Sequence, residues 1–365
     1  MKKTTLVLLC LLAVPTMPAL GAQAQSPNDT LVSPVIANGR VTLSIYAPEA
    51  SSVTIRGDWM NPFAPLPLER ADNGVWSVTL DKLKPDYYSY TLFVDGVKTL
   101  DPKNPEIKQG INGVDNMFYL QGAETVFEDN RPVPHGQVRR HWYLSDTLGM
   151  QRRMHVYTPP GYDDSDEDYP VFYLLHGGGD EDSGWSTIGR AGFILDNLIA
   201  EGKAVPMIVV MPNGSLPTRE ASFERELMTA VMPEVESHFH VRASAENRAI
   251  AGLSMGGGHT TQVFGLNPEQ FDYVSIWSAG LFNGSAADYE AAYPDFIRKA
   301  DWVNNNVEYF SLVVGTDDFA HPGSKLLSET LDKHGIEHEF IETDGGHTWL
   351  NWRAYLADFA PRLFR

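Results

Sequence analysis

Apolar and polar positions alternate along residues 26–120. Val41, Leu43 and Ile45 interleave with Thr42, Ser44 and Tyr46, while Trp76, Val78 and Leu80 share one parity, as do Tyr88, Tyr90, Leu92 and Val94. Successive side chains of a strand face opposite ways, so a period of two predicts strands with one buried face. Asp72-Asn73-Gly74 and Asp95-Gly96 supply turns, the second lying between two extended runs as a hairpin requires. No helical period runs through this stretch. Residues 25–120 therefore read as a small all-β sandwich.

Residues 121–137 are polar and hold Pro132, Pro134 and Gly136, the composition of a linker. From 138 to 365 the grammar changes. Short apolar runs at 171–175, 207–211, 249–251, 273–277 and 310–314 alternate with helical stretches at 191–201, 224–239, 325–333 and 349–363. Strands that do not alternate are buried on both faces, which predicts a mostly parallel sheet flanked by helices. The expected class is α/β, preceded by the sandwich.

The amino end follows a third pattern. Lys2 and Lys3 precede an apolar run at 6–14, Pro15 and Pro18 break it, and Ala22-Gln23-Ala24 offers small residues for cleavage. Residues 1–24 thus read as a bacterial signal peptide, and the protein as secreted or periplasmic. The run is far shorter than the ~20 residues a membrane anchor needs. Cys10, the chain's one cysteine, would leave with that segment, so no disulfide or cysteine zinc cluster is expected. The chain carries 28 basic and 47 acidic residues, a net charge of −19. Without Lys2 and Lys3, 26 basic residues face 47 acids, for −21. That balance repels polyphosphate and anionic lipid, and argues against nucleic acid and membrane surfaces as partners.

The segment that carries chemistry is Gly252-Leu253-Ser254-Met255-Gly256, entered from a short apolar strand and left through a helix. In a nucleophile elbow the serine sits on a sharp turn above the sheet, and the glycines permit the close approach of strand and helix. With 31 glycines in the chain a bare GxSxG is weak, so the strand-turn-helix context has to support it. A serine hydroxyl needs a base, and a base needs an orienting acid. Downstream, the run at 310–314 ends in Gly315-Thr316-Asp317-Asp318, and Gly345-Gly346-His347 precedes the last helix. Both positions fall at the carboxyl ends of strands, where parallel sheets place their sites. His347 is the candidate base. Asp318, the fourth residue of its turn, is the favoured acid, with Asp317 as the alternative.

For the developing oxyanion, the candidate donors are the backbone N–H groups of Gly178, in His176-Gly177-Gly178-Gly179, and of Met255. His176 is expected to orient that loop. His334-Gly335-Ile336-Glu337-His338 spells a zinc motif, but the motif needs a helix and Gly335 reads as a helix stop. His238 and His240 read as histidines closing a helix. No metal and no cofactor is expected.

Five separated motifs then resemble carbohydrate esterase family 1, the group of feruloyl and acetylxylan esterases and their enterochelin-esterase relatives. They are residues 157–162 (YTPPGY), 173–179 (YLLHGGG), 208–214 (IVVMPNG), 249–258 (AIAGLSMGGG) and 345–349 (GGHTW). The resemblance implies an α/β-hydrolase fold and a serine esterase, with nucleophile, acid and base carried onto Ser254, Asp318 and His347. The front segment, with Ala47-Pro48-Glu49, Gly57-Asp58-Trp59 and residues 90–96, resembles the immunoglobulin-like module related to family 48 carbohydrate-binding domains. Together they imply release of hydroxycinnamates from plant arabinoxylan. Acetylxylan or enterochelin-type hydrolysis is the alternative, and an inert polysaccharide-binding protein is the different class. The implied partner is a feruloylated or acetylated plant polysaccharide. Trp185 is the candidate to pack on an aromatic acyl group, core packing being its alternative. Trp349, Trp59, Trp76, Tyr88 and Tyr90 are expected in the core.

Overall fold

The computed structural model describes residues 25–365 apart from 61–63, 219 and 282–283. The signal-peptide reading concerns residues 1–24 and lies outside the described residues. Among the described residues no helix is long and apolar enough to cross a membrane.

The alternating front segment forms two antiparallel sheets. One runs in the order Val35–Ala37, Arg40–Tyr46, Val75–Leu80 and Glu69–Arg70. The other runs Leu66–Pro67, Val53–Gly57, Asp86–Val94, Gly113–Leu120 and Ile107–Gly110, with Val97–Thr99 folded back on Asp86–Val94. Their facing residues make one core of Val41, Leu43, Ile55, Trp76, Tyr90 and Phe118 among others. Trp76, Tyr88 and Tyr90 are buried, and Trp59 packs edge-on against Tyr88, so these aromatics fill the sandwich as the pattern predicts.

The rest of the chain builds one eight-stranded sheet. Its order is Gln137–Ser145, Met150–Thr158, Ile208–Pro212, Val171–Leu175, Arg248–Leu253, Tyr273–Trp277, Tyr309–Gly315 and Glu339–Thr343. The first two strands form an antiparallel hairpin at one edge, and the last six are parallel. Adjacent residues of a strand serve opposite cores. Tyr173 and Leu175 pack with Phe223, Leu227 and Phe264 on one face. Phe172 and Leu174 pack with Ile194, Leu195 and Leu356 on the other. Burial on both faces is why these strands read as unbroken apolar runs.

The predicted helix over 224–239 is divided into Phe223–Glu226, a π-turn at Leu227–Val231 and Met232–His238. Pro233 explains the break, because it has no N–H to return to the preceding turn and its ring crowds that turn's carbonyl.

The sandwich is anchored to the large sheet. Arg353, fully buried in helix Trp349–Phe359, pairs with Asp86 of the sandwich and lies 2.6 Å from Glu128 of the connecting segment. Lys108 lies 2.7 Å from Asp180, and Gly110 bridges to Asp180 across an antiparallel pair. Met117 enters the core under the large sheet.

Candidate active site

Strand Arg248–Leu253 enters a tight turn and helix Met255–Leu266 leaves it. At the turn Ser254 takes φ 53 and ψ −114, a conformation that L side chains adopt rarely and that the packing around it enforces. A β-carbon on Gly256 would lie 2.6 Å from the carbonyl oxygen of His176 and 2.7 Å from that of Leu175, so only glycine fits against the neighbouring strand. This is the physical reason for the small residue two places after the serine.

Ser254 Oγ lies 2.9 Å from His347 Nε2, and His347 Nδ1 lies 2.9 and 3.1 Å from the two carboxylate oxygens of Asp318. A carboxylate only accepts, so Nδ1 carries the ring proton and Nε2 is left to accept the serine O–H. Asp318 is buried and also accepts from the N–H of Ala320 at 2.8 Å. Burial pushes its carboxyl up, but the hydrogen bonds from His347 and Ala320, aided by Ser278, outweigh burial and hold it below the usual carboxylate range. Asp317 is exposed. The structure therefore brings Asp318, not its neighbour, to the imidazole. Trp352 meets the His347 ring edge-on at 5.0 Å, and Phe319 covers it at 4.2 Å.

Gly178 is exposed to the cleft, and a β-carbon built on it would lie 4.0 Å from that of Met255. Met255 opens a helix, whose first N–H groups have no acceptor within the helix. His176 is buried beneath this loop, with Nδ1 donating to the Gly177 carbonyl at 2.8 Å and Nε2 accepting from the N–H of Gly214 at 2.8 Å. That pattern needs a neutral ring, and burial lowers its pKa, with the nearby acids opposing. The loop is tied down further where Asp182 accepts from Arg153 and His155 at 2.7–2.8 Å.

The cleft beside His347 has a volume of about 600 Å³. Gly178, Phe319, Trp349 and Trp352 line one side, and Asp58, Met60, Lys108 and Asn112 of the sandwich line the other. Asp58 is exposed on this wall and accepts from the N–H and hydroxyl of Ser89 at 2.6 and 2.9 Å. A larger hollow of about 800 Å³ lies at the amino ends of the strands, among Asp168, Asp272 and Glu308, with no nucleophile–base pair in its lining.

Trp185 corrects the sequence reading. It is 1% exposed, its indole N–H donates to the Leu175 carbonyl at 3.1 Å, and Trp277 and Trp349 meet it edge-on. It cannot stack on an acyl group. Of the aromatics that line the cleft, Phe319 is by far the most open, 69% exposed and immediately after Asp318, while Trp349 and Trp352 are almost entirely buried. Its only sequence signal was an aromatic residue set in a polar turn. The sandwich wall had no local signal at all, because it arises from contacts between distant parts of the chain.

The Esterase family model matches residues 145–363. The chain belongs to the esterase family. A second model, carbohydrate-binding module 48 (isoamylase N-terminal domain), matches residues 19–105 of this esterase. Over 363 residues and 91% of the chain, it is 31% identical to the endo-1,4-beta-xylanase/feruloyl esterase of Xylanibacter ruminicola, and spans 46% of that relative's length. A solved ferulic acid esterase matches with TM-score 0.55 and 26% identity, covering 62% of this chain and 97% of its own. The enterobactin esterase of Shigella flexneri shares the fold across 88% of this chain and 92% of its own, at TM-score 0.65 and 17% identity. The chain thus has an α/β-hydrolase fold behind a β-sandwich, and the resemblance drawn from its five motifs is borne out.

Proposed function

We propose that this esterase is exported and releases hydroxycinnamates from feruloylated arabinoxylan through an acyl-enzyme. The observation that carries the reading is the chain of hydrogen bonds from Ser254 through His347 to Asp318 at the carboxyl ends of parallel strands. Ser254 Oγ attacks the ester carbonyl while His347 Nε2 takes its proton. The tetrahedral oxyanion is held by the N–H groups of Gly178 and Met255. As the intermediate collapses, the bond from the acyl carbon to the sugar oxygen breaks, the His347 imidazolium gives its proton to that oxygen, and the acyl group stays on Ser254, Asp318 having balanced the imidazolium. Water, deprotonated by the same imidazole, frees the acid. Phe319 offers the aromatic acyl group a flat apolar partner. A net charge of −19 suits a neutral polysaccharide better than a polyanion.

The test is a pair of rates, on methyl ferulate and on acetylated xylan, for the wild type and Ser254→Ala. Loss of the nucleophile should cost well over ~1000-fold on either ester. A variant retaining more than that fraction removes the covalent route. Turnover of acetylated xylan alone removes the feruloyl assignment and leaves the mechanism standing. A preference for catecholate trilactone over both would favour the enterochelin-type reading.

A further inference from the structure

We propose that His141, Glu234 and His238 form a binding site for a first-row transition-metal dication of the zinc class. His141 lies on Gln137–Ser145, the edge strand of the large sheet, and Glu234 and His238 lie one turn apart on helix Met232–His238. That spacing puts the carboxylate and the second imidazole on one face of the helix. His141 Nε2 sits 2.7 Å from Glu234 Oε1, and His238 Nδ1 sits 3.2 Å from the same oxygen. One ligand atom from each of the three lies within 4.8 Å of the other two. Among the described residues no other three His, Cys, Asp or Glu side chains converge in this way.

Two imidazoles and one carboxylate are a ligand set that zinc, nickel and copper accept. Tetrahedral ligands ~2.1 Å from an ion sit about 3.4 Å apart. The present separations, from 2.7 Å to within 4.8 Å, bracket that value. The two imidazoles differ in their neighbours. The Phe239 ring packs on His141 at 5.7 Å, while His238 Nδ1 also lies 2.8 Å from Ser237 Oγ and 3.0 Å from the Glu234 carbonyl oxygen, two contacts that an ion bound at that nitrogen displaces. A fourth position stays open to water. By contrast, His334 and His338, which spell the zinc motif in sequence, diverge to Glu290 and Ser328.

The site stands apart from the chemistry. Its strand is four strand spacings from the one that bears Ser254, or roughly 19 Å. A bound ion would instead pin an edge strand to a helix across 93 residues of chain, and stabilise the folded state by mass action.

The full chain, freed of metal by chelator, is titrated with Zn²⁺ by calorimetry at neutral pH. One saturable equivalent is expected, with a higher melting midpoint in its presence. Glu234→Gln and His141→Ala should each weaken binding by at least ~30-fold, while His334→Ala leaves it unchanged. Hydrolysis of a small acetyl ester should be the same in all of them. Should Glu234→Gln misfold, His238→Ala at a half-exposed position reads the same loss. Absence of a saturable equivalent, or an equivalent that survives these substitutions, overturns the proposal.

Discussion

In the sandwich strand Arg40–Tyr46, Val41, Leu43 and Ile45 are buried while Thr42 and Tyr46 are only partly covered. In Val171–Leu175 of the large sheet all five residues are buried. The first sheet keeps one core face and leaves its loops and outer face available. The second is sealed on both faces by helices, so its chemistry is confined to strand ends. Ser254, Asp318 and His347 all stand on turns at those ends, and the sandwich brings Asp58, Met60 and Lys108 up to the same cleft. On the proposed reading, one region supplies the reacting groups and the other supplies a wall.

If the reacting groups all belong to the sealed sheet, the largest effects must come from there. Asp318→Asn should keep the fold and lower kcat by roughly 10³–10⁴-fold, since an amide favours the wrong histidine tautomer. Asp317→Asn, at an exposed position, should stay within about twofold. Steady-state rates on one small ester read both. Equal losses would return the two neighbours to the ambiguity their sequence left.

The seam between the regions comes next. Arg353 compensates two buried carboxylates, Asp86 and Glu128, and also donates to the Ile188 carbonyl at 2.6 Å. Above pH 7, where Glu128 as well as Asp86 is ionised, Arg353→Met strands both acids, and a loss of about 3–5 kcal/mol in denaturant unfolding is expected there. A cost below ~1 kcal/mol would mean that the seam is wet and the wall loosely held.

The same seam should respond to pH. Burial pushes the Glu128 carboxyl up to about 7, with Arg353 and Arg190 opposing and Asp86 and Asp129 adding to the rise. The folded state therefore holds this proton after the unfolded chain has lost it. Its stabilising contribution is complete below the unfolded value near 4.5 and is lost as pH rises through about 7. Stability of the wild type should fall by on the order of 2 kcal/mol across that window. Glu128→Gln should flatten most of the slope, with the remainder due to Asp86, whose carboxyl burial also raises. Melting midpoints at the two ends of the window decide it.

The legibility of the molecule follows the same division. Ser254 and Asp318 could be picked out because each follows an apolar run, and an apolar run in a parallel sheet announces both a strand and its productive end, whereas His347 follows the mixed strand Glu339–Thr343 and was marked by its two glycines and the helix after it. The runs at 171–175 and 273–277 are the observed strands residue for residue. The hairpin Gln137–Ser145 with Met150–Thr158 did not stand out, because an edge strand carries Arg139, Arg140 and the exposed Trp142 without a clean alternation. Trp185 was misplaced for a different reason. Closeness in sequence to the glycine loop says nothing about direction, and backbone bonds from Thr187 to Ser183 and from Gly189 to Gly184 curl this segment so that the indole lies inside.

Phe319 is where the comparison can be sharpened most finely, because it decides which region reads the acyl group. Its ring lies 4.2 Å from His347 and lines the cleft opposite Met60 and Lys108, so two roles are open to it. As a platform for the acyl group it acts on binding, and Phe319→Ala should raise KM for methyl ferulate about tenfold, ~1.4 kcal/mol, with p-nitrophenyl acetate unaffected. As a cover for the imidazole it acts on the base, and the same substitution should lower kcat on both esters and shift the acid limb of the pH–rate profile. A KM effect confined to the aromatic ester assigns acyl recognition to the loops of the sealed sheet and leaves the sandwich to face the sugar. If neither parameter moves, the aromatic reader must be sought on the other wall, beginning with Met60.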